Sequence, residues 1–134
     1  MPAPALARPY SGGMTALRLI GFWRNEQHPE YPSPADWVDA GWDDDERHAV
    51  WHYLASGTML HAWMGFSPCR MCGKDNGALD FTDGTYVWPE GLAHYVDDHD
   101  VRLPGEFVEH ALRRQRELEE AESSVEWWLR ETRR

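Results

Sequence analysis

The sequence predicts a small single domain of the α+β class, and three observations carry that prediction. Two cysteines stand as Cys69-x2-Cys72-Gly73 and are followed by the pair His94-x4-His99. Between them, ALDFTDGTYVW alternates apolar and polar residues about an Asp83-Gly84 turn, the pattern of a β-hairpin. Around this unit, helix-start signals recur at Ser33-Pro34, Asp43 to Glu46, Pro89 and Pro104. With 134 residues, 42% hydrophobic and 27% charged, the chain is long enough for one domain with a modest core and has the balance of a soluble globular protein.

Taken in order, residues 1–13 (MPAPALARPYSGG) read as a flexible lead-in, and Met14 is a candidate start of the ordered chain. The domain is expected over 14–134, with a finger-like unit at about 65–100 and C-terminal helices at about 104–133. Ser33 as N-cap and Pro34 at the first helical position predict a short helix near 34–38. Asp43, Asp44, Asp45 and Glu46 favour the positive end of a second helix, whose apolar stripe is Val50, Trp51 and Leu54 and whose end is Ser56-Gly57. TMLHAWM (58–64) reads as a strand. The hairpin comes next, with Leu79 and Phe81 on one arm, Tyr86 and Trp88 on the other, and positive φ values available to Asp83-Gly84. Pro89 then opens a helix, PEGLAHYVDDH. From Pro104 another helix buries Phe107, Val108, Ala111 and Leu112, and Ser123-x-x-Glu126 is a capping box for a last one carrying Val125, Trp128 and Leu129.

The cysteine and histidine pairs point to a metal. Two thiolates and two imidazoles are a soft donor set that zinc takes in a closed tetrahedral shell. A two-residue gap lets one tight turn aim both sulfurs at one ion, and Gly73 supplies the backbone freedom that turn needs. A hairpin then returns the chain so that a helix presents its histidines. Five residues of ideal helix turn a side chain by ~140° beyond full turns, so His99 belongs where the helix ends or distorts. Cys69, Cys72, His94 and His99 are therefore the expected ligands of a structural Zn2+, with His61 or His110 as substitutes for one histidine. A second reading is a zinc-dependent enzyme acting on a small molecule, in which one ligand position is open and Glu90 or Asp98 serves as base.

Other chemistries fit less well. Pro68-Cys69-x-x-Cys72 matches the second half of the zinc-deaminase signature, but no upstream histidine (His28, His48, His52, His61) has Glu two residues on. His48 and His52 stand at i and i+4 without the zinc-protease glutamate and read as helix surface. A thioredoxin-like redox pair lacks its strand.

Charge narrows the partners. The net charge is −10, there is one lysine (Lys74), and the cluster Arg113, Arg114, Arg116 runs at once into four glutamates. Duplex nucleic acid needs clustered cations, so a nucleic-acid finger ranks third. No apolar run reaches the ~20 residues of a membrane span, and a cytoplasmic location is the default. Eight tryptophans are chiefly expected in the core. The functional alternative is a surface on which Trp23, Trp37 and Trp42, with Asp44 among the acidic residues beside them, receive a flat or cationic ligand.

The block DGTYVWPEGLAHYVDDHDVRLP, with CRMCG before it and GEFVEHAL after it, resembles a group of small bacterial zinc-finger-like proteins of uncharacterised activity. That resemblance implies zinc on Cys69, Cys72, His94 and His99 and no catalytic residue. The expectation is a zinc-binding accessory or regulatory module for a protein or peptide partner, cationic if charge decides.

Overall fold

In the computed structural model, residues 16–134 are described; the expected lead-in at 1–13 lies outside them. The chain divides into two compact units, one running to Leu103 and the other from Pro104 to Arg134. The elements are β1 (Arg18–Leu19), a 3-10 turn at Pro34–Trp37, α1 (Asp44–Ala55), β2 (Thr58–Ala62), β3 (Leu79–Thr82), β4 (Tyr86–Pro89), α2 (Leu92–His99), α3 (Gly105–Glu120) and α4 (Glu126–Thr132). The fold class is α+β, as expected. Among the described residues, no helix is long and apolar enough to cross a membrane.

The first unit is a four-stranded sheet in the order β1-β4-β3-β2 with α1 packed against α2. The expected hairpin is β3–β4, paired antiparallel with Phe81 opposite Trp88. In its turn only Gly84 takes positive φ (92°); Asp83 instead uses its side chain, whose Oδ1 accepts from the Thr85 and Tyr86 amides. β2 extends the sheet beyond β3 with a register shift between Met59 and His61, and β1 adds a short parallel strand to β4.

Helix α1 starts where its carboxylates predict. The Asp43 side chain caps the Glu46 amide, and Asp44, Asp45 and Glu46 fill the first turn. Its buried residues, Val50 and Leu54, are, with Trp88, Leu92, Val96 and Val101, the fully buried large side chains of this unit. The indole of Trp88 donates to the carbonyl of Leu54, so the core tryptophan also ties β4 to the end of α1. A bridge between Val38 and Val101, with Arg102 paired to Asp39 at 2.8 Å, fastens the segment after the 3-10 turn.

One element begins later than expected. Pro89 closes β4 and does not open a helix, and α2 starts at Leu92. Pro89 still pairs with Asp80 in the sheet, and the Glu90 amide donates to the Leu79 carbonyl. The corner Pro89-Glu90-Gly91 thus continues the end of β4 and leads into α2.

In the second unit, α3 keeps Phe107, Val108 and Ala111 buried. In α4 the amide of Glu126 is capped by Ser124, one residue later than the Ser123 box. Val125, Trp128 and Leu129, the apolar residues expected in this segment, are exposed.

Candidate metal centre

The segment 67–77 forms a small looped ladder. Ser67 and Asn76–Gly77 exchange backbone hydrogen bonds, Pro68 bridges Asp75, and Cys69 donates to the Lys74 carbonyl while accepting from Gly73. Gly73 has φ +77°, a value that favours glycine, which is why the second cysteine is followed by one. Cys69 is buried and Cys72 exposed.

Helix α2 brings the two histidines to this turn. His99 is its last residue, and Asp100 ends it in the left-handed region at φ 55°. The expectation that His99 sits at a helix end is met: the final turn closes on Tyr95, whose carbonyl accepts from the Val101 amide. The rings of His94 and His99 lie 4.9 Å apart and nearly perpendicular.

Cys69, Cys72, His94 and His99 each offer a donor atom, and these atoms lie within 4.8 Å of one another. Four groups are therefore placed to hold a metal ion. Cys72 Sγ and His94 Nε2 are 3.3 Å apart. A tetrahedral ion with bonds of ~2.3 Å to sulfur and ~2.0–2.1 Å to nitrogen separates such a pair by about 3.5 Å. His99 Nε2 is buried without a hydrogen-bond partner. Leaving a buried polar atom unpaired costs about 1–3 kcal/mol, and a metal ion would satisfy it.

The surrounding groups suit charged sulfur and oriented imidazole. Burial pushes the Cys69 thiol up, but hydrogen bonds from the Met71 and Cys72 amides, the Cys72 thiol and the Tyr95 hydroxyl together carry it below its ordinary value. Burial in turn holds the Tyr95 hydroxyl above its usual range. The same hydroxyl accepts from the Arg70 amide at 2.8 Å, so Tyr95 links the cysteine turn to α2. His94 Nδ1 faces Asp98 Oδ2 at 3.2 Å, one helical turn on. That carboxylate favours a proton on Nδ1 and leaves Nε2, the nitrogen facing Cys72, free to coordinate.

The two candidate bases are both engaged. Asp98 orients His94, and Glu90 Oε1 accepts from the Ala78 and Leu79 amides at 2.9 and 3.1 Å. Glu90 therefore secures the end of the cysteine loop to the sheet. Asn76 does the same for the helix, donating its side-chain amide to the Gly91 carbonyl. A Cβ on Gly91 would overlap the carbonyl oxygen and side chain of Asn76. Gly91→Ala should accordingly cost about 2 kcal/mol and weaken metal binding with it, both measurable by thermal melts in metal and in chelator.

The remaining candidates lie elsewhere. His61 is on β2, 3.6 Å from Asp80 and apart from the quartet, and the quartet does not include His110 of α3. His48 and His52 are exposed on α1. Trp23 is buried against the edge of Tyr95, Trp42 is buried and donates to Glu46, Trp37 is exposed, and Asp44 pairs with Arg47. A groove of about 740 Å³ opens beside the site, and of these four residues Trp23 alone lines it. Sequence reading missed Tyr95, Asn76 and Asp98 as supports. Only Asp98 left a local trace, as the carboxylate at i+4 from a candidate ligand histidine on a helix. No family model matches the chain, and neither a curated protein nor a solved structure matches it.

Proposed function

We propose that the quartet holds one zinc ion in a closed structural site, and that the protein is a binding module whose partner surface is kept in shape by that site. The observation that carries the metal is the orphaned, buried His99 Nε2 within a cluster of two thiols and a second imidazole. Two sulfurs with two imidazole nitrogens suit zinc above the harder divalent ions. When bound, zinc would join Cys69 and Cys72 of the loop to His94 and His99 of α2, supplying cross-linking that this small unit's core does not. Two further features support a partner. The segment from Met59 to Phe66 leaves Met59, Leu60, Trp63, Met64 and Phe66 exposed, and apolar patches of that kind mark interaction sites. The net charge of −10 favours a cationic partner over nucleic acid.

Cobalt(II) titration of the metal-free protein tests the site. One equivalent should saturate it and give the absorption of a tetrahedral thiolate-bound ion; no saturable signal would contradict the proposal. Asp98→Asn should keep the stoichiometry and lower zinc affinity by about 10–100-fold, read by competition with a chromophoric chelator.

A further inference from the structure

The groove beside the metal centre contains a carboxylate whose hydrogen bonding is half complete. Asp80, on β3, is 6% exposed and is among the groove's lining residues. Its Oδ2 accepts from the indole of Trp63 at 2.9 Å and lies 3.6 Å from His61 Nδ1. Its Oδ1 has no hydrogen-bond partner among the described residues and is not one of the buried unpartnered atoms, so it is open to the groove. A carboxylate oxygen open in an otherwise apolar wall is a seat for a cation or for hydrogen-bond donors. The walls suit a cation with an apolar stem: Phe22, Trp23, Tyr31, Trp63, Phe66 and Tyr95 all line the groove. Glu90, the other acidic residue there, is already spent on two β3 amides.

We propose that this groove docks a basic peptide segment, seating one Lys or Arg side chain on Asp80 while apolar neighbours in the peptide cover Trp63 and Phe66. One feature favours a peptide over a small amine, and two others set its charge and its mode of binding. Leu60, Trp63, Met64 and Phe66 are exposed and all line the groove, more apolar surface than one amine would cover. The chain's charge of −10 draws basic segments. β2 ends the sheet, and its irregularity between Met59 and His61 interrupts the ladder there, so side-chain seating rather than strand addition is the expected mode. Arg70 is the opposing feature. It also lines the groove, and its Nε is held by the Arg24 carbonyl. An acidic probe therefore has to be compared.

This inference deepens the partner half of the proposed function and rests on it. The test titrates three blocked pentapeptides, acetyl-Val-Leu-X-Leu-Val-amide with X as Lys, Gln or Glu, and n-butylammonium into the zinc-loaded full chain. The indole N–H resonance of Trp63, assigned with Trp63→Phe, is the readout. The expected result is Lys at least tenfold tighter than Gln and Glu and tighter than n-butylammonium, with the Lys preference lost in Asp80→Asn. Equal binding of the three peptides, a preference for Glu, n-butylammonium matching the Lys peptide, or no binding at about 1 mM would each overturn it. The wild-type ranking needs no variant, so the proposal stays open to refutation if Asp80→Asn fails to fold. Charge-blind binding of all three peptides would sink this inference and leave the binding-module reading standing, and loss of every peptide with zinc still bound would sink the partner reading as well.

Discussion

Cys69→Ser is expected to destabilise the first unit by at least about 3 kcal/mol, because structural zinc contributes ~10–16 kcal/mol of binding free energy in finger peptides, where binding and folding are one equilibrium. At ~4–8 °C per kcal/mol for a unit of this size, the melting temperature should fall by more than about 12 °C. Chelation of the wild type should reproduce most of that fall, and added zinc should restore it. The loss should also be local. Amides of the 67–77 loop, whose hydrogen bonds surround the two cysteines, should exchange fast with solvent. Those of β3 and β4, paired with each other and backed by Trp88, should stay protected longer. A chelated protein that melts at the same temperature with the same exchange pattern would contradict the structural role.

Trp88→Ala carries the second large effect. Trp88 has no exposed surface and bonds to the Leu54 carbonyl. Truncating a buried tryptophan costs about 3–5 kcal/mol, and an orphaned carbonyl adds to it, so a loss of about 4 kcal/mol or more is expected from urea unfolding. Trp88→Phe keeps most of the ring's volume but gives up the hydrogen bond, and should lose about 1–3 kcal/mol. Loss below about 1 kcal/mol for the alanine variant would mean that this tryptophan does not join sheet to helix. The variant should also weaken metal binding, since β4 leads directly into the corner that positions α2.

Much of this molecule was legible because its signals are local. The acidic cap of α1, the alternation of the β3–β4 hairpin and the Cys-x2-Cys-Gly turn each depend on residues a few positions apart. The site quartet was legible for the same reason, given that a hairpin brings the helix back. What escaped the sequence depends on distant partners. Pro89-Glu90 has the grammar of a helix start, yet Glu90 is spent on amides at Ala78 and Leu79, across the hairpin. β1 is two residues long, with nothing in Arg18–Leu19 to announce pairing with Tyr86 and Val87. The tryptophans divide by tertiary position alone. Trp23, Trp42 and Trp88 are buried, Trp51 is half-buried, and Trp37, Trp63, Trp127 and Trp128 are exposed, and no spacing rule separates them. Asp80 was silent for a similar reason: a single carboxylate in a strand gains meaning only once Trp63 is seen to bond it.

The central claim, a closed zinc site of two sulfurs and two imidazole nitrogens that fastens the cysteine loop to α2, is tested most directly by zinc-edge X-ray absorption on protein purified without a metal-binding tag. The expected result is one zinc per chain, with two sulfur neighbours at about 2.3 Å and two nitrogens at about 2.0–2.1 Å. A folded protein without metal, or a shell lacking sulfur, would contradict it.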